Sequence, residues 1–262
     1  MKFVGKFNKK FISGLLLLGT LMLCRNALAA KLAIVTEHLA PFQIVNGDSV
    51  GGLSTEIVET VLKASGYEYV IKAHPWSLSF NRAKQEPNTC IYSLAYIPSR
   101  QKMFQWVGHI TKSSISLYSL TSNPLEINKL DDAKQYSTAV IRDDVTHHFL
   151  LNNGFVENEN MYVVNNYDSL LKLLDIPSRN IDLVVLNSDL LNSRLASSKA
   201  DEDKYKNVFE LKELTLDFNF ACSLQTDPEI VKVLKDSMNQ LEQQGELLKI
   251  RAKWQKNMNN LL

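Results

Sequence analysis

The stretch KLAIVTEHLAPFQIVNGDSVGGLSTEIVETVLKASGYEYVIK, residues 31–72, decides the fold class because its hydrophobic spacing changes twice. Lys31 to Val35 reads as a short strand, followed by a polar turn that carries the Pro41-Phe42 pair. From Ser54 the spacing becomes helical. Ser54 is the expected N-cap, Glu56 suits the positive end of the helix dipole, Ile57, Val58, Val61 and Leu62 share one face, and Gly66 stops the run. Tyr67 to Lys72 then alternates like a strand. Strand, helix and strand in succession predict an α/β fold with a mainly parallel sheet covered on both faces.

Working outward, Leu78 to Lys84 reads as a helix and Cys90 to Tyr92 as the start of a strand. The same grammar resumes near residue 137, with strands at Thr138 to Ile141 and Met161 to Val164, and helices at Thr146 to Asn152 and Tyr167 to Leu174. Ile181 to Leu186 is almost wholly apolar, as a strand buried on both faces should be. This second run predicts a second α/β lobe. Ser197 to Asn207 is polar and reads as a surface loop. Asp227-Pro228-Glu229 supplies an N-cap, a proline at the first helical position and an acid in the first turn; Gly245 ends that helix, and a last one follows from Glu246 to about Trp254.

Residues 1–29 read as an export leader. Lys2, Lys6, Lys9 and Lys10 precede an apolar run from Phe11 to Cys24, and Ala27 and Ala29 offer the small residues a signal peptidase accepts. The apolar run is shorter than the roughly 20 residues that span a bilayer. Cleavage after Ala29 leaves 24 basic against 28 acidic groups, a net charge of −4. Such a balance carries no electrostatic footprint for nucleic acid or for an anionic membrane. Cys90 and Cys222 remain, and both sit in apolar, strand-like segments; two buried thiols are the preferred reading over a bridge.

Four segments together resemble the periplasmic binding proteins that serve polar amino-acid ABC importers, the bacterial extracellular solute-binding proteins of family 3. They are Thr36-Glu37-His38-Leu39-Ala40-Pro41-Phe42 with Gly51-Gly52-Leu53 behind it, Pro75-Trp76, Pro98-Ser99-Arg100-Gln101-Lys102 leading to Phe104-Gln105-Trp106-Val107-Gly108, and the tail from Phe220 to Gly245-Glu246-Leu247. The resemblance implies a two-lobed periplasmic binding protein type II fold with two crossover hinge strands, near Lys112 to Leu117 and Lys212 to Phe218. Lobe one would be discontinuous, residues 30–113 and 216–262, and lobe two would be 114–215. It further implies a monomeric periplasmic receptor, without cofactor or metal, that closes on a small polar, amino-acid-like solute and hands it to an inner-membrane permease.

The same resemblance nominates the ligand-binding residues. Arg100 matches the position whose planar guanidinium grips a carboxylate. Trp76 matches an aromatic wall, Phe42 either that wall or ordinary core packing, and Tyr92 and Ser93 the end of the strand that offers polar groups. Glu37 belongs to the first segment. In lobe two, Asn187 stands where the family usually has an acid for the α-ammonium. Arg142-Asp143-Asp144-Val145-Thr146 replaces the family's Gly-Ser-Thr helix start. Asp143 and Asp144 would repel a carboxylate there and attract a cation, which points to an amine-bearing or modified solute. No nucleophile elbow, His-Glu-x-x-His, phosphate loop or dinucleotide glycine pattern occurs, so no catalysis is expected. His147 and His148 read as solvated surface histidines. A ligand sensor feeding a membrane receptor, or an enzyme adapted from the same fold, are the alternative functions.

Overall fold

The computed structural model describes residues 31–198, 202–214 and 216–259, so the leader expected over residues 1–29 lies outside the described residues. In chain order the strands are β1 (Leu32–Thr36), β2 (Ile44–Asn46), β3 (Ser49–Gly51), β4 (Tyr69–Ala73), β5 (Thr89–Ala95), β6 (Phe104–Ser113), β7 (Ile115–Leu120), β8 (Thr138–Ile141), β9 (Met161–Val164), β10 (Leu183–Asn187), β11 (Tyr205–Glu210) and β12 (Leu216–Ser223). The helices are α1 (Leu53–Ser65), α2 (Trp76–Gln85), α3 (Val145–Asn152), α4 (Tyr167–Leu174), α5 (Ser188–Ser198), α6 (Pro228–Gln243) and α7 (Glu246–Asn259).

Two five-stranded sheets organise the chain, in the orders β4-β1-β5-β12-β6 and β11-β7-β10-β8-β9. Each is mixed rather than mainly parallel. β1 runs parallel to β4 and β5, and β8 runs parallel to β9 and β10. The antiparallel members are β12 against β5 and β6, and β7 against β10 and β11. These are the strands on either side of the two crossings between sheets, where the chain must leave one lobe and return to the other. Ser114 alone separates β6 from β7, and its carbonyl accepts the N–H of Ser188 across that crossing.

Local chemistry explains the element boundaries. α1 begins at Leu53, because the carbonyls of Pro41 and Phe42 accept the N–H groups of Leu53 and Ser54 at 3.0 and 2.9 Å. Ser54 is therefore not the N-cap; its hydroxyl is buried and accepts from Ser93 Oγ instead. This close approach requires glycine at 52, where φ is 102° and an added Cβ would lie 2.5 Å from the Phe42 carbonyl oxygen. Asp227 caps α6 through Glu229 N–H with Pro228 at the first helical position, as the spacing predicts. α7 is tied down by Trp254, whose indole N–H donates to Glu56 of α1 at 2.8 Å.

Two further expectations need correction. Of the loop read over Ser197 to Asn207, Ser197 and Ser198 end helix α5 and Tyr205 to Asn207 begin strand β11, since pairing with β7 at the sheet edge supplies ladder partners to a polar, half-exposed segment. Cys90 and Cys222 are joined in a disulfide; they stand directly opposite each other on β5 and β12.

The bond closes a loop of 132 residues, which restricts the unfolded chain. Replacing both cysteines with alanine should cost about 2–5 kcal/mol of stability. Urea unfolding checks this: reductant should lower the midpoint of the parent toward that of the variant and leave the variant where it is.

Candidate functional site

The parallel strands aim their carboxyl ends at the gap between the sheets, which is where open α/β sheets place their ligand sites. β1 delivers Glu37, which follows its last residue. The chain after β4 delivers Trp76, the first residue of α2, and Thr36 O anchors that helix by accepting from Ser79 Oγ at 2.6 Å. The end of β5 delivers Ser93 and Ala95, and the following 3₁₀ turn, Pro98–Arg100, delivers Arg100. From the second lobe, β8 leads to Asp143 and Asp144 at the start of α3, and β9 leads to Tyr167 at the start of α4. β12 adds Leu216 and Phe218.

Glu37, Leu39, Trp76, Ser93, Arg100, Asp144 and Tyr167 thus line one narrow space, together with Leu216 and Phe218. The room left to a water-sized sphere is about 10 Å³, enough for about one water. The lobes are therefore pressed together here. Past Glu37 and Tyr167 the cleft continues into a groove of about 240 Å³ that His38, His74 and Asn165 also line.

Arg100 is 4 % exposed. Its guanidinium carbon lies 5.3 Å from the Trp76 ring centre and 5.0 Å from that of Phe80, so two aromatic faces replace much of its hydration. Its hydrogen bond runs from Nη2 to the Asp143 carbonyl oxygen at 3.4 Å, and among the described residues no carboxylate forms an ion pair with it. Burial pulls the guanidinium pKa down, and Asp144, Tyr167 and Glu37 push it back up. Trp76 donates its indole N–H to the same Asp143 oxygen at 3.0 Å.

Asp144 is the N-cap of α3. One of its oxygens accepts from Thr146 N–H at 2.9 Å, and the other accepts from the Tyr167 hydroxyl at 2.7 Å. Burial raises the Tyr167 hydroxyl well above its usual value, and the charge of Asp144 adds to this. The Asp143 side chain does not line the space; its carbonyl does the bridging.

Three other sequence-nominated residues lie outside this lining. Phe42 packs edge-on against Phe218, with ring centres 5.2 Å apart. Tyr92 is buried, and its hydroxyl bonds Thr55 Oγ1 at 2.9 Å. Asn187 accepts the Leu190 N–H at 2.7 Å, a helix-start contact. Tyr167, Leu39, Leu216 and Phe218 were not nominated from the sequence; for Tyr167 the signal was its place at the start of the helix that follows β9. His147 is no surface histidine: it is 4 % exposed, and its ring stacks on that of His148 at 5.5 Å. Bonds to Glu157 and to the Asp143 N–H satisfy both of its ring nitrogens, which makes burial affordable. Among the described residues no cluster of His, Cys, Asp and Glu gathers to hold a metal ion.

Glu37 is the strained member of the set. Burial raises its pKa well above the usual 4.5, Asp144 raises it further, and Arg100 opposes both. The folded chain therefore holds this proton more tightly than the unfolded chain does. Its contribution to stability is largest at low pH and falls as pH rises from about 4.5 toward the raised native value. Glu37→Gln should flatten that loss: thermal melts should find the variant more stable than the parent at pH 8, with the difference closing below pH 4.5.

Comparison with known proteins agrees with this architecture. The structure superposes on a histidine kinase sensor domain similar to periplasmic binding proteins, with TM-score 0.75, 15 % identity and coverage of 86 % of this chain and 96 % of that one. An ancestral arginine-binding protein bound to arginine gives TM-score 0.73 at 14 % identity, covering 86 % and 97 %. A substrate-binding protein of an ABC uptake transporter from Streptococcus pneumoniae, with bound histidine, gives 0.71 at 17 % identity, covering 86 % and 92 %. No curated protein sequence matches the chain. The sequence profile that does match spans residues 32–257, nearly everything the structure describes, and by it the chain belongs to the bacterial extracellular solute-binding proteins, family 3.

Proposed function

We propose that the protein captures a small polar, amino-acid-like solute in the periplasm and delivers it to an inner-membrane ABC permease, without covalent chemistry. The observation that carries this reading is Arg100: a buried guanidinium held between two aromatic faces, with a backbone carbonyl as its hydrogen-bond partner. Desolvating a cation without a matching anion is costly, and a solute carboxylate would supply the missing in-plane acceptors. The amino acids bound by two of the similar structures support the size and polarity of the solute.

In this reading lobe one comprises residues 30–113 and 216–262 and lobe two 114–215. Bending at the two crossings would part the lobes, since hinges concentrate in a few element-terminal residues. A second reading, a sensor that reports the solute to a membrane kinase, is favoured by the likeness to the histidine kinase sensor domain. A strain lacking the protein separates them: uptake that survives while a kinase-dependent response is lost would sink the transport reading.

Titration calorimetry with a panel of amino acids, arginine and histidine included, tests the capture reading, and the solute should be recovered unchanged. Arg100→Ala should weaken binding by about 2–5 kcal/mol, the range for stranding one partner of a buried charged pair. Trp76→Ala should weaken it less, by about 1–3 kcal/mol, on the scale of burying one large side chain. An Arg100→Ala protein that binds as tightly as the parent would remove Arg100 from the site.

Export is part of the same proposal. The Cys90–Cys222 disulfide suits an oxidising compartment. The exported protein should begin near Ala30, as the small residues at 27 and 29 suggest, and an intact mass that retains Lys2 to Arg25 overturns this.

A further inference from the structure

Trp76 and Arg100 reach across the cleft to one oxygen, the Asp143 carbonyl, so the placement of a single peptide group decides whether both contacts form. The residue that carries this oxygen is held in an uncommon shape. Asp143 has φ +57°, the left-handed region that costs a non-glycine residue energy and persists where its surroundings fix it. Two bonds flank its Cα: the Asp143 N–H donates to Nδ1 of His147 at 3.2 Å, and the N–H of Asp144, in the peptide that bears the carbonyl, donates to Ile141 O at 3.3 Å.

Because Nδ1 accepts, the imidazole proton sits on Nε2, where it donates to the Glu157 carboxylate at 2.9 Å. Glu157, ahead of β9, thus sets the tautomer, and the tautomer makes Nδ1 the acceptor for the Asp143 N–H. We infer that His147 is a positioning residue of the cleft: by holding the Asp143 N–H through Nδ1 it keeps that residue at its left-handed φ, and so aims the carbonyl on the far side of the Cα at Trp76 and Arg100 of the opposite lobe. The inference adds to the capture reading the means by which the closed cleft is held, and it rests on that reading in taking closure to matter.

The three tryptophans provide a readout that needs no solute. Trp106 donates its indole N–H to Gln101 O at 3.0 Å and Trp254 donates to Glu56 at 2.8 Å, whereas Trp76 alone among them donates to the second lobe. In ¹H–¹⁵N spectra of the intact exported protein, His147→Asn, whose amide oxygen takes the place of Nδ1, should leave the Trp76 indole resonance near its wild-type position. His147→Gln, which reaches the place of Nε2 instead, should move it to the position of a water-bonded indole. Trp106 and Trp254 should stay in place in both and so report an intact fold. If His147→Gln leaves Trp76 unmoved, or both variants move it alike, the inference is overturned. Absence of solute binding in calorimetry would sink the capture reading and leave these resonances as they are, so the two failures are distinguishable.

Discussion

Strand β12 is the element on which both the fold and the cleft depend. It returns from the second lobe and enters the first sheet between β5 and β6, paired antiparallel with both. A strand so placed has no free edge, and each of its peptide groups must find a ladder partner. Its register is consequently set from two sides at once: Phe218 stands opposite Ala95 on one neighbour and Thr111 on the other. A slip of one residue would exchange its two faces. The register that forms puts Leu216 and Phe218 under the cleft and Cys222 against Cys90, so one ladder supplies the cleft floor and the covalent tie.

Upon that floor the site sets one firm positive charge against two acids in different surroundings. Arg100 keeps its proton, since even in burial a guanidinium is far too basic to lose it. Asp144 spends its oxygens on a helix start and a tyrosine hydroxyl. Glu37 has burial and a neighbouring acid against its ionisation, and among the described residues no hydrogen bond engages it. A cationic group brought beside Glu37 would lower its pKa, whereas a neutral one would leave burial and Asp144 opposed by Arg100 alone.

Much of this organisation was legible in the chain, and the exceptions share a cause. Thr138–Ile141, Met161–Val164 and Tyr167–Leu174 form where their spacing places them, because each carries its own periodicity and end signals. Asp227-Pro228 starts α6 for the same reason. What escaped is what a partner distant in sequence decides. Cys90 and Cys222 are 132 residues apart, and nothing near either one says that β12 will lie beside β5. Tyr205–Glu210 is too polar to read as a strand until β7 lies beside it. Ser54 has the chemistry of a cap, but the turn at Pro41-Phe42 caps the helix first. In the site, Glu37, Trp76, Ser93, Arg100 and Asp144 come from segments whose motifs could be quoted, whereas Tyr167, Leu216 and Phe218 line it through tertiary placement alone.

The pair Asp143-Asp144 shows how one residue type can serve in two ways at neighbouring positions. Two adjacent acids at a helix start imply a negative patch that would draw a cation. In the folded chain Asp143 contributes its backbone: a left-handed φ, which aspartate tolerates better than most residues, and a carbonyl that any residue would carry. Asp144 contributes a cap through one oxygen and accepts the Tyr167 hydroxyl with the other, so its two contacts draw on both oxygens of a carboxylate. Its charge also reaches Glu37, whose ionisation it opposes, so the acid of the second lobe and the acid of the first are felt together in the space that both line.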